Sequence, residues 1–105
     1  PIIKTKSTDS AIELAEYLKE KGAVMYFAYW CHYCALQKEL FGKEASARLK
    51  LVECAEDGKN NQRQLCEEKG IMQYPSWEIN GKITSGALPL EEIADISGYK
   101  GSRDF

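Results

Sequence analysis

The sequence predicts a single α/β domain over residues 1–105, with one mixed central sheet and helices on both faces. Short apolar runs alternate with amphipathic segments, an order typical of parallel strands joined by crossover helices. Asn80–Gly81 lies between two strand-like runs, which is the strongest short-range signal for an antiparallel hairpin. The chain has 105 residues and 44% hydrophobic content, enough for one core.

Eight elements are predicted, in the order helix, strand, helix, strand, helix, strand, strand, helix. The first helix, 9–21, carries its apolar residues on one face, and Ser10 with Glu13 fits a capping box. The remaining predicted ranges are strand 23–29, helix 31–41, strand 49–54, helix 61–69, strands 76–79 and 82–85, and helix 89–97. The polar, glycine-containing segment 98–105 is expected to be a loose tail.

Charge and hydropathy exclude several classes of function. The net charge of −2 gives no basic field for nucleic acid, so no nucleic-acid partner is expected. The longest apolar run, Ala23 to Trp30, is too short to cross a bilayer.

The four cysteines are the main candidates for chemistry, and two of them, Cys31 and Cys34, form a C-x-x-C motif. A zinc site would need two more ligands, and there is no second C-x-x-C to supply them, so no metal is expected. His32 lies between the cysteines and would point away from a metal held by both. A structural staple is also disfavoured, because a two-residue loop constrains the unfolded chain very little.

A redox pair is the interpretation with positive physical support. The cysteines lie where a buried strand gives way to a helix N-terminus, whose N–H groups and dipole favour a thiolate. Cys31 should be exposed at the start of the helix and Cys34 more buried one turn later. We therefore expect Cys31 to react with a partner sulfur and Cys34 to resolve the mixed disulfide.

The block "WCHYC" after an apolar strand, followed by "YP" leading into a strand, resembles the thioredoxin superfamily. The resemblance implies that Pro75 is cis beside the cysteine pair and that Tyr74 offers backbone groups to an incoming peptide. From the residues alone, Pro75 would be an ordinary trans proline at a strand start. The resemblance also places Trp30 near the site, and we expect His32 and Tyr33 to help contact the substrate.

A closer resemblance is carried by "WCHYC…LFGKEA", "VECAEDGKNNQRQLCEEKGI", "YPSWEINGK" and "LEEIADISGY". Together these blocks are similar to the thioredoxin-like domain fused to vitamin K epoxide reductase homologues of bacteria and plants. That resemblance implies disulfide exchange with secreted or lumenal proteins, and electron transfer to a quinone through a membrane-embedded partner domain. It implies a location on the periplasmic or thylakoid-lumen side of a membrane, with no organic cofactor in this chain. A start at Pro1 is consistent with excision from such a fusion.

Two positions depart from the thioredoxin pattern. Many thioredoxins carry a buried acid on the central strand where this chain has Met25, so the proton of Cys34 would need another route. Oxidising relatives often place histidine immediately before the second cysteine, whereas here Tyr33 stands there and His32 one place earlier. His32 is therefore either a stabiliser of the Cys31 thiolate or a solvated surface side chain.

Cys54 and Cys66 lie at a strand end and in the following helix, a crossover that can bring two Cα atoms within disulfide reach. We favour a structural disulfide; two buried inert thiols or a second redox pair are the alternatives.

Three other functions stay open from the sequence. The first is a cytosolic thioredoxin-type disulfide reductase, and the second is a non-catalytic module that binds peptides near Tyr74 and Pro75. The third, a zinc module, is disfavoured by the ligand count.

Overall fold

The architecture of residues 2–105, described by a computed structural model, is α/β, with a four-stranded mixed sheet and helices on both faces. This confirms the predicted fold class, and the arrangement is thioredoxin-like. The elements are α1 Asp9–Glu20, β1 Val24–Phe27, α2 His32–Phe41, α3 Lys43–Ser46, β2 Leu51–Glu53, α4 Arg63–Glu68, β3 Ser76–Ile79, β4 Lys82–Ser85 and α5 Leu90–Ser97. None of the helices in residues 2–105 is long and apolar enough to cross a membrane.

The sheet has the strand order β2-β1-β3-β4. β1 pairs in parallel with β2 and antiparallel with β3, and β3 pairs antiparallel with β4. The β3–β4 connection is the predicted hairpin at Asn80–Gly81, where both residues have positive φ values of 52° and 78°. β1 is therefore a central strand, and the chain that leaves its end leads directly to Cys31.

Alternate residues of β1 enter two separate cores. Met25 points into the larger core, which packs α1, α2, α3 and α5 against one face of the sheet. Val24 and Tyr26 point to the other face, where they pack with Cys54 and Cys66 beneath α4. Burial on both faces explains why β1 reads as a nearly continuous apolar run.

The predicted boundaries are too long for β1 and β2, and the short helix α3 is absent from the prediction. The capping box of Ser10 and Glu13 is also wrong. Thr8 is the N-cap of α1, and its hydroxyl oxygen accepts from the Ala11 N–H at 3.0 Å. Glu13 makes a tertiary contact instead of a capping one, because its carboxylate accepts a hydrogen bond from the Tyr99 hydroxyl.

The segment 98–105 packs against the domain instead of forming the loose tail that its composition predicts. Tyr99 is buried, with its ring 5.4 Å from that of Tyr17. Arg103 Nη1 lies 2.6 Å from carboxylate oxygens of both Glu91 and Asp95. Phe105 packs against the same core, with its ring 6.4 Å from that of Tyr99, so aromatic contacts and one shared cation fix the segment.

α2 is held on the sheet by the fully buried side chain of Gln37. Its Oε1 accepts from Trp77 Nε1 at 3.0 Å and from the Leu88 N–H at 2.8 Å. Its Nε2 donates to the Leu88 carbonyl at 2.9 Å. The amide thus joins α2, β3 and the segment before α5, and within residues 2–105 these groups have no other hydrogen-bond partner.

Replacing Gln37 with Met should lower the free energy of unfolding by about 2–4 kcal/mol, because polar groups of Trp77 and Leu88 would be left buried without partners. Urea unfolding measures this change. Gln64→Met is the control, since Gln64 is exposed on α4 and its loss should cost less than about 0.5 kcal/mol. Equal destabilisation by the two variants would contradict the assigned role of Gln37.

Candidate functional site

Cys31 is the N-cap residue of α2, with extended backbone at φ −80° and ψ 121°. Its Sγ accepts from the Cys34 N–H at 3.4 Å, so one of the otherwise unpaired amides of the first turn faces the sulfur. The side chain is partly exposed. This is the expected position for Cys31, since a helix N-terminus favours negative charge on sulfur.

Cys34 lies one turn into α2 and is 2% exposed. Burial raises the pKa of the Cys34 thiol to about 12, and the hydrogen bond with Cys31 acts in the same direction. Neighbouring Lys38 opposes the shift. The predicted asymmetry between an accessible first cysteine and a buried second one is therefore present in the structure.

The Tyr74–Pro75 bond is cis, as the resemblance to thioredoxins implies, and its loop faces the first cysteine. Cys31 Sγ donates to the Tyr74 carbonyl at 3.5 Å. The Trp30 ring stands edge-on to the Tyr74 ring, with centroids 6.0 Å apart. Cys31, Trp30 and the two loop residues thus come together although about forty residues separate them in sequence.

An open groove of about 660 Å³ runs beside Cys31. Its walls include Trp30 and Tyr33, both more than half exposed, and Met72, which is 89% exposed. Aromatic and methionine side chains left open to solvent next to a reactive sulfur form a surface suited to an apolar peptide segment. Nothing in the sequence patterning singles out Met72, because it lies in an irregular segment.

His32 is exposed, and its ring lies edge-on to that of Tyr33 with centroids 5.6 Å apart. Its suggested action on the Cys31 thiolate stays a prediction. Among residues 2–105 no group of three or more histidine, cysteine, aspartate or glutamate side chains is placed to hold a metal ion.

Lys38 and Glu53 are two charged residues near the cysteines that the sequence interpretation does not include. Burial lowers the pKa of Lys38, while Cys34 and Glu53 act in the opposite direction. Glu53 is 8% exposed, and its Oε2 accepts from the N–H groups of Tyr29 and Ala55 at 3.1 and 3.2 Å. Helical spacing could have indicated Lys38, which follows Cys34 by one turn.

Cys54 and Cys66 are joined as a disulfide, with an S–S distance of 2.02 Å and a Cα–Cα distance of 5.8 Å. Both are buried, at 0% and 2% exposure, and Tyr74 packs against their cluster. This bond ties α4 to the end of β2, away from solvent and behind the Tyr74 loop.

The fold and the site together define a thioredoxin-like domain with an accessible cysteine paired to a buried one beside a cis proline. No protein-family model matches the chain. The chain is similar to the thiol-disulfide oxidoreductase LTO1 of Arabidopsis thaliana, with 41% identity over 100 residues. The aligned segment is 92% of this chain and 27% of LTO1, so the chain spans about a quarter of that relative.

Alkylation should separate the two cysteines of the motif. In a Cys34→Ser variant, iodoacetamide should label Cys31 readily at mildly alkaline pH. In a Cys31→Ser variant, Cys34 should stay largely unlabelled at that pH, because burial, the largest cause of its raised pKa, keeps it as an enclosed thiol. Intact-mass spectrometry against time gives both rates. Unfolding in urea should make them equal, and equal rates in the folded proteins would contradict this assignment.

Removing the second cysteine pair should destabilise the domain. The disulfide closes a loop with a sequence separation of 12, for which loop-closure entropy gives about 3 kcal/mol. Urea unfolding of a Cys54→Ala/Cys66→Ala variant should show this loss without reductant. In a reductant strong enough to open the bond, the free energies of unfolding of the wild type and the variant should become equal. A lower value for the variant that persists in reductant would indicate lost packing instead.

Proposed function

We propose that this domain is a thiol–disulfide oxidoreductase that exchanges disulfides with substrate proteins through Cys31 and Cys34. The observation that most directly supports this proposal is the partly exposed Cys31 at the start of α2, with buried Cys34 one turn behind it. The similarity to LTO1, which is itself named a thiol-disulfide oxidoreductase, supports the same activity.

The reaction starts from the Cys31–Cys34 disulfide and a substrate dithiol. A substrate thiolate attacks Cys31 Sγ, the intramolecular S–S bond breaks, and Cys34 leaves with the electron pair. The second substrate thiolate then attacks the substrate sulfur of the mixed disulfide, and Cys31 leaves as a thiolate. Two electrons pass to the domain, and the substrate gains one disulfide. The helix N-terminus stabilises the Cys31 thiolate in this last step.

Substrate binding is assigned to the loop and groove around Cys31. The Tyr74 backbone, next to Pro75, presents polar groups to an extended peptide. Trp30 and Tyr33 line the groove, and exposed His32 lies beside Tyr33, so all three are assigned to substrate contact. The apolar walls of the groove favour substrates with apolar residues near the reacting cysteine.

The physiological direction is proposed to be oxidative. A membrane-embedded vitamin K epoxide reductase-type domain reoxidises the Cys31–Cys34 dithiol on the periplasmic or thylakoid-lumen side. That domain passes the two electrons to a quinone. The resemblance of the four sequence blocks to such fusions supports this partner, and the length of LTO1 relative to this chain leaves room for further domains in that relative. The domain itself is proposed to work without an organic cofactor.

Cysteine variants test the exchange chemistry. With a reduced, unfolded protein as substrate, Cys31→Ser should abolish disulfide transfer, because no accessible sulfur remains to form the mixed disulfide. Cys34→Ser, given the same substrate in its disulfide form, should instead accumulate the mixed disulfide: Cys31 attacks the substrate S–S bond, one substrate sulfur leaves as a thiolate, and no resolving thiol remains. Non-reducing gels and mass spectrometry detect both outcomes. The Cys54→Ala/Cys66→Ala variant, assayed where it is folded, is the control and should retain transfer.

Two results would favour other functions. Peptide binding that survives Cys31→Ser, in a wild-type protein that shows no disulfide transfer, would identify a non-catalytic binding module. A reduction potential near the roughly −270 mV of thioredoxin, together with reduction by a thioredoxin reductase, would identify a reductase. An oxidant should equilibrate well above that value and receive its disulfide from membranes that contain the quinone-linked partner.

A further inference from the structure

We propose that Lys38 exchanges the proton of Cys34 during disulfide transfer, through a small cavity behind the cysteine pair. This inference rests on the proposed function, since it concerns the step in which Cys34 leaves or attacks. Cys34 needs a group that can give or take its proton. On β1, fully buried Met25 offers no titratable group to the larger core that also contains Cys34.

The cavity has a volume of about 70 Å³, and Cys31, Cys34 and Lys38 all line it. A space of this size admits water, which needs only about 10–15 Å³ and polar neighbours. The sulfur of Cys34 is otherwise enclosed, with the residue 2% exposed. The cavity is therefore the route by which a proton can reach a sulfur that bulk solvent does not.

The position of the Lys38 ammonium is set by packing. Lys38 follows Cys34 by four residues on α2, which places both side chains on one side of the helix. Its Nζ lies 4.1 Å from the centroid of the Phe27 ring, which also lines the cavity. No carboxylate of residues 2–105 lies within ion-pair distance of this Nζ, so the amine is not committed to a salt bridge.

The other charged or titratable neighbours are engaged elsewhere. Glu53 faces Lys38 from the end of β2, but its Oε2 is held by backbone N–H groups, and it does not line the cavity. Glu39 lines the cavity but accepts from the backbone N–H groups of Lys4 and Thr5. The Tyr29 hydroxyl donates to Asp57 at 2.8 Å.

The direction of proton transfer follows from the environment of the two groups. Burial raises the pKa of Cys34 and lowers that of Lys38, so, compared with the same groups in water, the sulfur holds its proton more tightly and the amine holds its proton less tightly. When Cys34 leaves as a thiolate, the Lys38 ammonium supplies the proton. When the Cys34 thiol attacks, the proton moves the opposite way, against these shifts, to Lys38 in the neutral form that burial favours, and the attack draws the transfer forward because it consumes the thiolate.

A chromogenic disulfide, dithiobis(nitrobenzoate), separates these steps on the reduced domain. Cys31 thiolate attacks the reagent, its S–S bond breaks, and one coloured nitrothiobenzoate leaves. Cys34 then gives its proton to Lys38 and attacks Cys31 Sγ, the mixed disulfide breaks, and a second nitrothiobenzoate leaves. Because Cys54 and Cys66 are bonded to each other, stopped-flow absorbance resolves only these two releases.

Lys38→Met should slow the second release by about 100-fold near neutral pH, within the range of general acid–base catalysis. The first release should be unchanged. The difference in the second release between Lys38→Met and the wild type should shrink as the pH rises, because hydroxide then removes the Cys34 proton. Lys38→Arg decides between proton exchange and simple electrostatics, since arginine keeps the charge but does not release its proton. It should be nearly as slow as Lys38→Met.

Lys21→Met is the matched control, because Lys21 also lies over an aromatic ring, at 5.7 Å from the Tyr17 centroid, and does not line the cavity. It should leave both releases unchanged. An unaffected first release and an unchanged circular dichroism spectrum establish that a Lys38 variant is folded, and Lys38→Gln replaces Lys38→Met if the latter is not.

Three results would overturn the assignment: full activity of Lys38→Met, restoration of the second release by Lys38→Arg, or slowing of that release by Glu53→Gln instead. All three leave the proposed exchange function intact. That function fails separately if the wild type shows no second release, or if Cys31→Ser reacts as the wild type does.

Discussion

The buried amide of Gln37 determines how the helix that carries both cysteines sits on the sheet. Because Gln37 follows Cys34 by three residues, the two side chains share one face of α2. Locking that amide onto Trp77 and Leu88 fixes the rotation of the helix. The same rotation buries Cys34 and leaves Cys31 at the open end, so the site inherits its asymmetry from a contact that takes no part in the chemistry.

That asymmetry makes two identical side chains chemically different. Cys31 meets a backbone N–H, the Tyr74 carbonyl and an open groove, whereas Cys34 meets the core and a small cavity. The second environment opposes charge on sulfur, whereas the first leaves the sulfur open to a partner. Lys38 of α2 is the charged side chain that acts on Cys34, and Glu53 at the end of β2 acts in turn on Lys38. The central strand supplies apolar Met25 to the same core.

The sequence predicts those features that local signals determine. Periodicity and turn residues predict the order of helices and strands, the hairpin at Asn80–Gly81 and the start of α2 beside Cys31. The cis bond before Pro75 was expected from the resemblance to thioredoxins. Features that depend on distant partners were missed. Gln37 bonds to residues 40 and 51 positions away, and Glu13 to one 86 positions away.

Composition also gives a wrong prediction where a few strong contacts hold a segment whose other residues make little contribution. A tail rich in glycine and polar residues gives no packing signal, yet the buried ring of Tyr99 and the paired guanidinium of Arg103 attach it to the domain. Lys38 was missed for the opposite reason, because a lysine on an amphipathic helix is normally solvated, and only the cavity and the Phe27 ring distinguish this one.

The strand order has a consequence for the newly synthesised chain. β1 occupies an interior position but receives its antiparallel neighbour only from residues 76–79, so a nascent chain that has just exposed the cysteines has an open sheet edge. Non-local pairing of this kind is slow and leaves apolar surface exposed in the meantime. Cys31, Cys34, Cys54 and Cys66 all emerge before β3, so all four thiols are made before the strand that covers the second edge of β1. The sheet that positions the cysteines is thus completed by an element that contains none of them.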